Sequence, residues 1–183
     1  MVVTPETLRA DKKLRGMLWS FDFEVQDPDY DAIWFDTAPL QPFEIVAAKG
    51  SGCVYALTGM QRHVLFVTSE GQASIIAEDL SQCLELVVAY PYWEDVLRRS
   101  EGDLEALRRI FSGGLEDLED AALDDNPEID ELRPLLRKQL GLGKAGESAQ
   151  RLYHAVTVLG ADVIVRSPDG YPSEPLVRVL KPR

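Results

Sequence analysis

Residues 43–77 read FEIVAAKGSGCVYALTGMQRHVLFVTSEGQASIIA, in which four apolar runs alternate with short segments that contain glycine. Runs rich in β-branched and aromatic residues, at roughly ten-residue spacing and with glycine in each connection, are typical of an antiparallel meander. Side chains alternate along a strand, so Cys53, Tyr55 and Leu57 are expected on one face. The predicted strands are 43–47, 53–58, 63–68 and 73–77.

An amphipathic helix is predicted directly after the last strand. Asp79 is a favourable N-cap, because its carboxylate can accept the free amide hydrogens of the first turn. Pro91 lacks an amide hydrogen and should end or kink the helix. The apolar positions fall at i, i+3, i+4, i+7 and i+8, namely Leu80, Cys83, Leu84, Val87 and Val88. This stripe predicts that the helix lies on the meander.

The flanking segments are predicted to be mostly helical. A short amphipathic helix over 4–15 would start with Thr4 as N-cap and Pro5 at the first helical position. The stretch 19–36 is aromatic and acidic and matches no regular pattern. Residues 101–158 show helical apolar spacing throughout, so this segment is expected to be a series of helices.

Several signals divide that helical series. Asn126 followed by proline is expected to start a helix as its N-cap. Pro134 should then kink or restart this helix, and Gly141 should close it. A last helix is predicted over 146–159.

The C-terminal residues are predicted to form a short hairpin. Residues 162–166 and 176–180 have strand-like composition. Between them, Ser-Pro-Asp-Gly at 167–170 is a typical turn, because proline presets φ and glycine permits a positive φ.

Together these patterns predict an α+β fold, in which a meander sheet rich in antiparallel pairing is packed by helices and carries a helical C-terminal extension. Residues 1–100 would form the α+β core. Residues 101–183 would form the extension, ending in the short hairpin and packed on the core as one domain. The length of 183 residues fits a single domain.

Charge narrows the classes of partner. The chain has 31 acidic and 19 basic residues, a formal net charge of −12. Nucleic-acid binding needs Lys and Arg that neutralise phosphates, so no nucleic-acid partner is expected. The same charge disfavours anionic membranes. A large partner would more naturally be a basic protein.

The sequence also predicts a cytoplasmic location. Its start, MVVTPETLRA, does not show the basic start followed by an apolar core that a signal peptide needs. No apolar run approaches the roughly 20 residues that span a bilayer. Cys53 and Cys83 lie within apolar patterns and are predicted to be buried free thiols, as in a reducing compartment.

No catalytic residue, cofactor or metal site is predicted, and the chain is not expected to be an enzyme. The histidines are His63 and His154. A nucleophilic Cys53 would need His63 as its base across the predicted hairpin, but a strand thiol of this kind is usually inert packing. The acidic segment 27–31 lacks the glycine and terminal glutamate of a calcium loop.

Two other kinds of chemistry have weak signals. The glycine-rich segments 49–52 and 141–144 lack the strand-then-helix context of phosphate loops. Carboxylates are so numerous that glycosidase-like pairs are expected by chance. A hydrolase using Cys53 or a carboxylate pair therefore remains only an alternative interpretation.

The acidic residues are concentrated in one segment. Twelve acids and two arginines in 101–132 give a net charge of −10, whereas nine bases and four acids in 133–183 give +5. The acidic segment 101–132 has two interpretations. It is either a solvated surface that the basic C-terminal segment partly neutralises, or a docking surface for a basic protein. The candidate partner-binding residues are Glu116, Asp117, Glu119, Asp120, Asp124 and Asp125.

The meander and the helix after it resemble the SUKH superfamily, the SMI/KNR-like group that includes bacterial immunity proteins and a yeast cell-wall-synthesis regulator. The resemblance lies in PFEIV at 42–46, GSGCVYAL at 50–57, HVLFV at 63–67 and IAEDLSQCLEL at 76–86. Cys83 departs from the pattern, which more often has phenylalanine there.

The resemblance implies an α+β fold, no catalytic residues, and a role in binding another protein. Many members neutralise a co-encoded toxin by direct contact, so the resemblance implies an immunity protein. The alternative within the same fold is an intracellular scaffold or regulator. Partner surfaces vary between members, so the family assigns no functional residue here.

Overall fold

The structure of the chain is a computed structural model that describes residues 3–30, 35–38, 42–143 and 145–177. The strands are β1 Glu24–Val25, β2 Asp36–Ala38, β3 Phe43–Ala48, β4 Val54–Thr58, β5 His63–Val67, β6 Gln72–Ala77, β7 Ile164–Arg166 and β8 Glu174–Pro175. The α-helices are α1 Pro5–Ala10, α2 Lys12–Trp19, α3 Leu80–Ala89, α4 Trp93–Arg99, α5 Leu104–Gly113, α6 Glu116–Asp125, α7 Ile129–Leu140 and α8 Ser148–His154.

The main sheet confirms the predicted meander. Its strand order is β1-β3-β4-β5-β6-β8, and β3 to β6 pair antiparallel with their neighbours in the chain. Gly52 adopts a positive φ of 87° in the β3–β4 turn, which glycine accepts without strain. Cys53, Tyr55 and Leu57 share one face, as expected. The α+β class is therefore correct.

Helices cover that face of the sheet. Asp79 caps α3 by accepting a hydrogen bond from the backbone amide of Gln82 at 2.8 Å. The helix ends at Ala89, before Pro91, and α4 begins two residues after the proline, both in line with the sequence pattern. Trp93 of α4 is fully buried and meets Phe66 of β5 edge-on, with ring centroids 4.9 Å apart.

The opposite face of the sheet is also buried, which strand periodicity alone did not reveal. A second apolar cluster on this face includes Val54, Leu65 and Ile75. It is covered by the two-stranded antiparallel sheet β2–β7 and by a π-helical turn, Ala155–Leu159. All five residues of β4 are buried as a result.

The N-terminal helix is divided in two. Thr4 caps α1 and Pro5 is its first residue, as predicted. Asp11 then leaves the helical conformation, and its carboxylate accepts from the amide of Leu14 at 2.9 Å to start α2. The prediction of one helix over 4–15 was therefore wrong, because Asp11 favours an N-cap over a helix interior.

The segment after α4 is a series of helices, as predicted. Pro134 does not restart a helix, since α7 runs continuously through it. Asn126 is not the N-cap of α7, which begins at Ile129. It ends α6, and its side chain accepts from the amide of Glu128 at 3.2 Å to form the intervening turn.

The C-terminal hairpin is only partly as predicted. The turn at 167–170 is present, with the amide of Gly170 donating to the Ser167 carbonyl at 2.8 Å. However, β7 pairs with β2, and β8 joins the main sheet parallel to β6. Residues 178–180 of the predicted second strand lie outside the described residues.

A single hydrophobic cluster includes residues from both ends of the chain, from Val3 to Val177. Cys53 and Cys83 are buried free thiols, as predicted. Within the described ranges, no helix is long and apolar enough to cross a membrane.

Candidate functional site

The six candidate partner-binding carboxylates all belong to α6, but they differ in surroundings. Among the residues of this helix only Leu118 is buried, so α6 lies on the surface of the fold. Glu116, Asp117, Asp120, Asp124 and Asp125 are exposed, whereas Glu119 is partly buried.

Glu119 is held by contacts within the protein. It accepts a hydrogen bond from the hydroxyl of Tyr92, and its Oε1 lies 2.7 Å from Nη2 of Arg133. Burial, together with the Glu119 carboxylate, raises the pKa of Tyr92 well above its ordinary value. The Glu119 side chain is only 27% exposed, so it anchors α6 rather than facing a partner.

Asp117 also has an internal partner. Its Oδ2 lies 2.8 Å from Nη2 of Arg99, the last residue of α4. The hydrogen bond from Arg99 lowers the pKa of Asp117. Both side chains are well exposed, so this ion pair contributes little stability and a competing cation could displace it.

The other four carboxylates of α6 are Glu116, Asp120, Asp124 and Asp125, of which the first three form what we term the acidic face of α6. Residues four apart lie above one another on a helix, so Glu116, Asp120 and Asp124 form one row. Across the described part of the chain, none of the four has an ion-pair or hydrogen-bond partner for its carboxylate. Like charges at this spacing repel one another.

Over the described ranges, the basic C-terminal segment forms no direct ion pair with the carboxylates of the acidic face of α6. Arg133 pairs with Glu119 and Asp130, and Arg151 pairs with Glu85 and Glu147. Arg133 nevertheless lines one cleft with Glu116 and Asp120, so its charge lies close to the acidic face of α6. The arrangement is therefore compatible with both interpretations of the acidic segment, a partly neutralised solvated surface and a docking surface.

A groove of about 490 Å³ lies beside α6, and we term it the Trp19 groove. It runs between the end of α2, the segment that joins α3 to α4, and the inner side of α6. Its apolar lining includes Trp19, Phe21, Tyr92, Leu118 and Ala122. Trp19 is 66% exposed, which is unusual for the largest apolar side chain.

The polar lining of the groove is acidic. Four carboxylate residues contribute to it, Asp22, Glu24, Asp95 and Asp125, and the residues that line it include no lysine or arginine. Asp125 lies nine residues from Glu116, about half a turn around the helix axis, so it faces the groove and not the acidic face of α6. The groove is a surface of negative charge with an aromatic side chain at its margin.

Lys49, which contacts the groove residue Asp22, already has its ion-pair partners within the fold. Lys49 is 13% exposed and forms ion pairs with Glu94 and, at 3.4 Å, with Asp22. Burial alone would lower the pKa of Lys49, but the Glu94 and Asp22 carboxylates raise it above its ordinary value. Lys49, in the β3–β4 turn, thus stays charged and paired and does not supply a cation to the groove.

The groove was missed at the level of sequence, although Trp19 carried a signal. In α2 the buried residues are Leu14, Met17 and Leu18, so Trp19 falls just outside the apolar stripe. A tryptophan outside the apolar stripe of a helix is expected to be exposed. Its proximity to Asp125, more than a hundred residues later, depends on tertiary contacts that periodicity does not report.

The structure separates the one nucleophile–base pair that the sequence offered. His63 pairs with Thr58 across the β4–β5 hairpin, whereas Cys53 precedes Val54, which pairs with Val67 at the other end of the strands. Five residues of extended strand span about 16 Å, too far for proton transfer. The nitrogens of His63 instead contact the carbonyl of Glu78 and the side chain of Gln61.

The described part of the acidic segment, 27–30, forms a turn in which the amide of Tyr30 donates to the Asp27 carbonyl at 3.0 Å. Asp27 is paired with Arg15, and Asp31 lies outside the described residues. The described residues include no group of three or more histidine, cysteine or carboxylate side chains that could hold a metal ion.

Comparisons of the chain with protein-family models, with curated proteins and with solved structures found no match.

Proposed function

We propose that the chain binds a basic protein partner through the acidic face of α6 and the Trp19 groove. The observation that carries this proposal is the juxtaposition of an exposed tryptophan with carboxylates that have no internal partner. Interfaces combine a central apolar anchor, often tryptophan, with a polar rim. Here the Trp19 groove holds both components, because Trp19 and the unpaired carboxylate of Asp125 both line it. The acidic face of α6 lies around the same helix.

Charge would act mainly on the rate and specificity of association. A partner of opposite charge is steered toward such a surface, and mismatched partners are repelled. The exposed indole would then contribute to the lifetime of the complex, because buried aromatic anchors carry much of the binding energy. Nucleic acids and anionic membranes are not expected partners of this face.

The resemblance to the SUKH superfamily supports a more specific role, that of a cytoplasmic immunity protein that neutralises a co-encoded toxin by direct contact. In such a complex the acidic face of α6 would meet a basic toxin surface. A scaffold or regulator with the same fold would use the same surface, but for several intracellular partners.

The proposal is tested by isothermal titration calorimetry of the full chain against the purified products of the genes adjacent to its own. Binding below micromolar, together with rescue of cells that express the neighbouring toxin, would support the immunity role. Absence of binding and of rescue would refute it. Binding of several unrelated proteins, with no toxin beside the gene, would favour the scaffold instead.

A further inference from the structure

We propose that the Trp19 groove receives an arginine side chain of the partner, held between the Trp19 ring and the carboxylates of the groove. This inference rests on the proposed function, since it names the chemical group by which the basic partner is recognised. It also goes further, because a charged surface alone would accept lysine and arginine equally.

The carboxylates of the groove are not all available to the same degree. Asp22 accepts from the backbone amide of Gly50 at 2.9 Å and contacts Lys49. Asp95 pairs with Arg98 on the exposed surface of α4 at 2.8 Å. Over the described ranges, the carboxylates of Glu24 and Asp125 have no hydrogen-bond or ion-pair partner. These two are free to accept from an incoming cation.

The aromatic component makes the groove selective for the kind of cation. Trp19 presents most of its side chain to solvent at the groove margin. A guanidinium stacks on an indole face and pairs with a carboxylate through two parallel hydrogen bonds. A lysine ammonium is a compact, strongly hydrated charge and gains less from both contacts.

The groove also has room for a side chain from outside. Its volume of about 490 Å³ lies within the range of ligand-binding clefts. Its apolar lining would pack the aliphatic stem of an arginine, whose methylene groups favour apolar surface while the charged end stays polar. The nearby Lys49 leaves the groove free because it is engaged by Asp22 and Glu94.

The test uses the full chain and two probes, an oligoarginine peptide and an oligolysine peptide of equal length. Dissociation constants are measured by calorimetry for the wild type and for Trp19→Ala. The matched control is Tyr171→Ala, which removes another well-exposed aromatic, 73% exposed and outside the groove. Circular dichroism confirms that each variant is folded.

The wild type is expected to bind the oligoarginine peptide on the order of fivefold more tightly, the scale of an exposed cation–π contact. Trp19→Ala should abolish this preference, whereas Tyr171→Ala should keep it. Asp125→Asn should weaken arginine binding more than Asp169→Asn, which changes an exposed acid on the C-terminal turn.

Equal binding of the two peptides by the wild type, or a preference that survives Trp19→Ala, would overturn the inference. The proposed function fails differently, namely if charge reversal on the acidic face of α6 leaves binding of the protein partner unchanged. The two failures are therefore distinguishable.

Discussion

The carboxylate of Glu119 lies 2.7 Å from the guanidinium of Arg133, and this ion pair joins α6 to α7. The two atoms are close but are not aligned as a hydrogen bond. Arg133 also donates from Nε to the carbonyl of Val88 at 3.1 Å, at the end of α3. Through this arginine, the acidic helix is tied to the helix that lies on the sheet.

Removing the charge of Glu119 should therefore destabilise the fold. Glu119→Gln leaves Arg133, only 19% exposed, with the more distant and exposed Asp130 as its remaining counter-charge, at an expected cost of about 1–3 kcal/mol in the free energy of unfolding. Asp120→Asn, one residue along and exposed, should change stability by less than about 0.5 kcal/mol. Urea denaturation measures both, and equal values would show that Glu119 does not anchor α6.

Protonation of Glu44 is expected to destabilise the fold in acid. Burial alone would raise its pKa, but hydrogen bonds from Arg62 and Arg9 lower the pKa below its ordinary value of 4.5. A carboxylate whose pKa is lower in the folded state than in the unfolded state stabilises the fold. This stabilisation is complete above the unfolded-state pKa and is lost as pH falls through the folded-state pKa.

The stability difference between wild type and Glu44→Gln should therefore be largest near neutral pH and shrink as pH falls below 4.5. Urea denaturation at a series of pH values gives this difference directly. Glu70→Gln, at an exposed turn between β5 and β6, is the control and should have little effect. A difference for Glu44→Gln that is constant with pH would contradict the assignment.

A side chain at position 160 is expected to clash at the end of the π-helical turn. A Cβ there would lie 2.5 Å from Oγ of Ser74 and 3.1 Å from the backbone nitrogen of Ile75. Gly160→Ala should cost about 1–3 kcal/mol, because the turn must move away from β6. Gly16→Ala, in open space on α2, should instead stabilise by about 0.5–1 kcal/mol. Thermal unfolding of both variants compares the two effects.

The two cysteines are expected to react slowly with thiol reagents in the native protein. Cys53 and Cys83 are buried, and burial raises the pKa of Cys83 far above that of an ordinary thiol. Labelling of the native protein with a thiol reagent should therefore wait for unfolding. Rapid reaction at Cys53 under native conditions would restore the hydrolase as a serious alternative.

The features that the sequence predicts correctly are those encoded locally. The meander follows from alternating apolar residues with glycine at the turns, and α3 follows from Asp79 and the stripe that ends before Pro91. Asp11 is a favourable N-cap residue and could have indicated the break between α1 and α2. The helical apolar spacing on both sides of it instead suggests one continuous helix.

The features that it does not predict depend on long-range pairing. Nothing local to Glu174 indicates a parallel partner in β6, and nothing local to Val165 indicates that β7 pairs with β2. The same holds for the candidate site. The charge of α6 is evident in the sequence, but the division between inward Glu119 and outward Asp120 is fixed by the positions of Tyr92 and Arg133.

The most direct test of the central proposal is the association rate constant of the chain with its partner, measured by stopped flow over a range of ionic strength. The variant combines Glu116→Lys, Asp120→Lys and Asp124→Lys, and it leaves both the anchoring Glu119 and the groove residue Asp125 intact. The wild-type rate constant should fall steeply as salt rises, whereas the variant should associate on the order of tenfold more slowly and with little salt dependence. An unchanged rate constant in the variant would contradict the assignment of the interface to α6.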